Sequence, residues 1–234
     1  MNLFSSFTLK IMAIIFMAMD HIYTYFTPQG VNIPIWFGYF GKVAAPIFFY
    51  LVVEGFFHTR SKKKYIQRVF SMGALMIGVD FLLGIGNNIF LSIGCALVML
   101  IGIDKAKHSE KGSSDKIKGI SLAILFGVLG IFTEASIYGV AMILTFYFFR
   151  EKKALMAITY VVVSLFGLTG AIGPNFVEAV TIWDYQWMMV FAIIPILMYS
   201  GKLGFNNKFV KWMFYWFYPV HLIVIVSLSK IIGN

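Results

Sequence analysis

Asp20 and His21 are neighbours inside an apolar run, LKIMAIIFMAMDHIYTYF, where any ionisable side chain is costly and rarely idle. An imidazole takes and gives a proton near neutral pH, which makes His21 a candidate general base. Adjacent residues on a helix point about 100° apart, so Asp20 need not touch His21, and either can find its partner on another helix. A second apolar run, FGYFGKVAAPIFFYLVVEGFFHTR, empties into SKKKYIQR. Glu54 and His58 stand at i,i+4 and share a helix face. Thr59, Arg60, Lys64, Tyr65 and Arg68 follow in a basic stretch. Arg as a planar fork and Lys as a point charge suit phosphate groups. The third element is FYPVHL, with Tyr218 and His221 about Pro219. Plainer roles exist for all of these: polar groups that join helices, and cations that merely fix orientation. Asp80 and Glu134 read as helix-end residues.

The remaining chemistry is defined by what is missing. The chain has no GxGxxG, P-loop, GxSxG or HExxH pattern. Four histidines and one cysteine at these spacings make no metal signature. A metal-free reaction or a transport site is left.

These residues must be positioned by membrane helices. The chain of 234 residues is 60% hydrophobic and only 12% charged, about half the charge fraction of a soluble domain. Its apolar residues come in long blocks, each of which needs roughly 20 residues to cross a bilayer. Strand-like alternation is absent, so helices are the expected answer. The reading is an all-α, polytopic helical bundle forming a single integral membrane domain over 1–234. About nine spans are expected: 9–26, 37–57, 66–85, 88–103, 119–133, 135–149, 154–172, 187–200 and 210–230. With the N-terminus cytoplasmic, every Lys and Arg except Lys42 and Lys230 falls in or beside a cytoplasmic segment, which predicts an N-in, C-out topology in the cell membrane. The net charge of +9 therefore belongs to loops at an anionic leaflet, with no contiguous face for nucleic acid. MNLFSSFT lacks a basic leader, so the first run reads as a retained span. Cys95 is alone and forms no internal disulfide. DKAKHSEKGSSDKIK reads as a solvated inner linker. The outer linker GPNFVEAVTIWDYQ carries interfacial aromatics.

The blocks MAMDHIYTYF, GKVAAPIFFYLVVEGFFHTRSKKKYIQR, NNIFLSIG, IYGVAMILTFYFFR and YSGKLGFNNKFVKWMFYWFYPVHL resemble, in order, successive blocks of the TraX family. That family is named for a conjugation-associated bacterial membrane protein implicated in N-terminal acetylation of pilin. The Asp20–His21 pair, the EGFFHTR stretch and the FYPVHL end carry the resemblance most specifically. The step from Lys10 to His21 is also similar to that in a large group of multi-span membrane acyltransferases.

The resemblance implies transfer of an acyl group, with acetyl-CoA as donor. The acceptor is a peptide amine, a sugar or a lipid. On that reading His21 is the base, with Asp20, Glu54 or His221 orienting it, and the stretch from His58 to Arg68 holds the CoA phosphates. A proton-coupled transporter or flippase would use the same acid and histidine groups as a relay. A scaffold for assembling other membrane proteins would need none of them. Phosphate ligands at the inner mouth favour the enzyme.

Overall fold

In the computed structural model, residues 3–110 and 112–233 are described; Lys111, one of the expected cytoplasmic cations, lies outside them, as do Met1, Asn2 and Asn234. The described chain is helical, with a single isolated bridge between Phe4 and Tyr199. The helices are α1 (Ser6–Phe26), α2 (Trp36–His58), α3 (Lys62–Leu83), α4 (Ile89–His108), α5 (Ser114–Ile131), α6 (Ser136–Phe148), α7 (Lys153–Leu165), α8 (Phe176–Trp183), α9 (Gln186–Leu197) and α10 (Lys208–Gly233). Six are long and apolar enough to cross a membrane, α7 counted with the 3-10 turn that extends it to Ala171; α8 and α9, bent by 68° at their junction, make a seventh if they act as one span.

The expectation of nine differs from this at α5 and α6. α5 opens with Asp115, Lys116 and Lys118 in its first turn and a half. α6 has 13 residues, about 20 Å of helix against a hydrocarbon core of about 30 Å. The single expected span over 187–200 is only the second limb of a bent pair, whose first limb, Phe176–Trp183, falls in the stretch read as a linker.

The chain divides into two compact units. One combines Met1–Leu51 with Phe149–Asn234; the other is Val52–Phe148. In the first, Ser5 caps α1 by accepting the Thr8 N–H, and Gly30, at φ 79°, ends the turn that follows α1. α1 packs along α10, which runs 26 residues through Pro219. Tyr160 on α7 is fully buried and donates to the Met189 carbonyl, fixing α7 to α9.

In the second unit, Ser61 caps α3, accepting from the Lys64 N–H at 3.3 Å. Asn88 caps α4 and also donates to the Gly73 carbonyl at 3.0 Å, tying the start of α4 to α3. α4 and α5 meet backbone to backbone. A Cβ at Gly102 would lie 2.6 Å from the Gly119 carbonyl oxygen, and one at Gly119 would lie 2.8 Å from that of Gly102. Only glycine permits this approach, the usual means of close helix packing in lipid, where burial of apolar surface gives no drive of its own.

Candidate functional site

His21 and His221 meet inside the first unit. Both are buried, at 5% and 8% exposure. His21 lies in the apolar body of α1, and His221 follows Pro219 on α10. His21 Nδ1 and His221 Nε2 are 2.7 Å apart. The ring centroids are 4.9 Å apart and the planes differ by 18°. Nitrogens so close at that centroid spacing place the rings edge to edge in nearly one plane, the geometry of a direct N–H···N hydrogen bond. His221 Nδ1–H donates to the Phe217 carbonyl, one turn back on α10, at 2.7 Å. Phe217 stacks on the His221 ring at 4.8 Å, and Tyr218, also buried, stands edge-on to both imidazoles. Of the three orienting groups the sequence left open, His221 is the one that reaches the His21 ring.

Asp20 turns instead to α2. Its Oδ1 lies 3.3 Å from Lys42 Nζ. Gly41 makes room for it, since a Cβ there would overlap the Asp20 side chain. Lys42 also sits over the Tyr185 ring, 5.4 Å from its centroid, and Tyr185 packs edge-on against Tyr39 and Tyr23. Gly38 faces the Tyr185 hydroxyl closely enough to exclude a Cβ. Tyr39 donates to the Thr181 carbonyl at 2.6 Å, anchoring α2 to α8. The two adjacent residues thus serve different helices: Asp20 binds α2, and His21 binds α10.

The other predicted residues belong to the second unit. Glu54 is buried near the end of α2. His58 donates from Nδ1 to the Glu54 carbonyl at 2.8 Å, with the Glu54 carboxylate 3.9 Å away, so the i,i+4 pair does form. Thr59 and Arg60 make the turn into α3, with Arg60 exposed. Lys64 is exposed on α3, one turn before Arg68 and on the same face. Arg68 lies over the Tyr65 ring at 5.9 Å, and its Nε is buried with no hydrogen-bond partner among the described residues. Tyr65 itself packs against Gly55. Lys62, by contrast, is committed, bonded to Asp104 at 2.6 Å and lying over Phe56. Exposed cations beside an unsatisfied guanidinium nitrogen fit an anionic phosphate. Among the described residues, no three His, Cys, Asp or Glu side chains converge in a way that could hold a metal ion.

Sequence reasoning missed Lys42. The available signal was its place as one of two basic residues outside the cytoplasmic set; a lone cation within a span needs an anion, and Asp20, in the outer half of the preceding span, was the acid at matching depth.

Comparison with known proteins adds to this geometry. The family model described as "TraX protein" matches residues 5–229. The chain is 28% identical to the "Probable fimbrial assembly protein FimC, serogroup H1" of Dichelobacter nodosus, over 96% of this chain and 95% of that one. No solved structure matches.

Proposed function

The chain belongs to the TraX family, and we propose that it is a membrane-embedded acyltransferase that moves acetyl from acetyl-CoA to an amine or hydroxyl acceptor at or across the cell membrane. The observation that carries this reading is the buried His21–His221 pair, a base held by a second imidazole inside the block that bears the family resemblance. In the reaction, His21 takes the proton of the acceptor N–H or O–H as the nitrogen or oxygen attacks the thioester carbonyl. The C–S bond breaks as the new C–N or C–O bond is completed, and the CoA thiolate leaves with the proton that His21 returns. Such a base is typically worth 10²- to 10⁴-fold in rate. Arg60, Lys64 and Arg68 are the proposed ligands of the CoA phosphates, supported by the exposure of the first two and the unpartnered Nε of the third. The relative's printed role in fimbrial assembly makes a surface-filament subunit a reasonable acceptor.

Nine spans with a cytoplasmic N-terminus and an outer C-terminus belong to the same proposal. They add α5 and α6, as a hairpin that turns at the far face, to the six that length and apolarity give and the bent α8–α9 pair counted as a seventh. Support comes from the distribution of Lys and Arg.

The test is incubation of purified protein with radiolabelled acetyl-CoA and a primary-amine or hydroxyl acceptor. Protein-dependent transfer, or slow thioester hydrolysis without acceptor, is expected. His21→Gln keeps a hydrogen-bonding side chain but loses the titration, and should lower the rate by about two orders of magnitude while acetyl-CoA still binds. Failure of the wild-type protein to bind acetyl-CoA at all would sink the proposal.

A further inference from the structure

The hydrogen bonds around His221 fix the direction of a proton line, and with it the nitrogen of His21 that can act. His221 Nδ1 is 2.7 Å from the Phe217 carbonyl oxygen, which can only accept. Nδ1 therefore carries a hydrogen. A neutral imidazole carries one hydrogen, so His221 Nε2 presents a lone pair. That lone pair is 2.7 Å from His21 Nδ1, which must then be the donor. The same count applied to His21 leaves its Nε2 without a hydrogen.

We propose that His221 is a positioning residue that holds His21 in its Nδ1–H tautomer through the Phe217 carbonyl–His221–His21 hydrogen-bond line, so that Nε2 of His21 is the basic atom of the site. The inference rests on the acyltransferase reading for its rate consequences and on geometry alone for the tautomer. When His21 Nε2 accepts the acceptor's proton, the ring becomes an imidazolium and the Nδ1–H···Nε2 bond to His221 becomes charge-assisted, which strengthens it. Positive charge is then shared over two rings in a site with little water. The proton on Nε2 afterwards passes to the departing thiolate, and both rings return to their starting tautomers. The backbone carbonyl makes the device robust, because no side-chain substitution at Phe217 removes it.

Two kinds of substitution at His221 separate positioning from packing. His221→Gln can place an amide oxygen where Nε2 stood, accept from His21 Nδ1–H and preserve the tautomer. His221→Arg stays charged and offers only donors there, so His21 Nδ1 must accept and the hydrogen moves to Nε2. In protein with ¹⁵N-labelled histidine, the wild type and His221→Gln should show His21 protonated at Nδ1, and His221→Arg should show it protonated at Nε2 or leave it without a fixed tautomer. In acetyl transfer, His221→Gln should keep kcat within about tenfold and His221→Arg should lose about a hundredfold, with KM for acetyl-CoA unchanged in both. His221→Phe, which fills the space and offers no acceptor, covers the case in which the arginine variant does not fold; it should lose the fixed Nδ1–H tautomer and fall below the glutamine variant in rate. An Nε2–H tautomer for His21 in the wild type overturns the inference whether or not acyl transfer is found. A fixed Nδ1–H tautomer without any transfer leaves the inference standing and removes the acyltransferase reading.

Discussion

At the scale of single residues, the notable feature is how differently Asp20 and His21 are partnered although they adjoin. Asp20 and Lys42 are both only partly exposed, and a charged pair in such surroundings is strongly interdependent. Removing one partner leaves the other uncompensated, whereas removing both does not. Lys42→Met should therefore destabilise the protein by about 1.5–3 kcal/mol, and Asp20→Asn added to it should restore most of that loss. Reversible unfolding in mixed micelles measures the cycle; equal and additive losses would show that the 3.3 Å pair contributes nothing specific. Acetyl transfer should follow His21 rather than this pair, since Asp20 does not reach the imidazole.

At the scale of helices, close approach decides what each can tolerate. Gly102 and Gly119 bring α4 and α5 within backbone contact, and a side chain at either would meet main chain, which cannot move aside. Gly102→Leu should part the two helices and cost about 1–3 kcal/mol or more. Gly78 on α3 meets open space, so Gly78→Ala should be neutral or stabilising by roughly 0.5–1 kcal/mol. The same unfolding measurement ranks the two, and a reversed order would contradict the packing described. Helix existence was largely legible in the sequence because apolar block length is a one-dimensional property. Partner choice was not. Whether His21 meets Glu54, Asp20 or His221 depends on the rotation of α1 about its axis and on which helix lies beside it, and neither is encoded in local spacing. The bend between α8 and α9 escaped for a related reason: interfacial aromatics such as Trp183 and Tyr185 suit a surface linker as well as the elbow of a broken helix.

At the scale of the whole molecule, the span count has a specific experimental signature. Seven and nine spans both put the chain ends on opposite faces; six puts them together. Single cysteines at Leu3 and Gly233, in a Cys95→Ser background, should label from opposite sides. Thr133, in the turn between α5 and α6, distinguishes the odd counts. A cysteine there should label from the outer face if nine spans exist and resist such labelling if the hairpin stays short of it. The arrangement of the first unit also has a consequence for how the protein is made. Its two pieces come from opposite ends of the chain, with Val52–Phe148 inserted between them. As the polypeptide leaves the ribosome, Asp20 finds Lys42 one helix later, but His21 must wait for a residue 200 positions downstream. The nascent first helix therefore enters the bilayer with its acid soon neutralised and its imidazole still alone. The histidine pair is among the last contacts to form, so a chain released before α10 is made carries a bound Asp20 and no base pair at all.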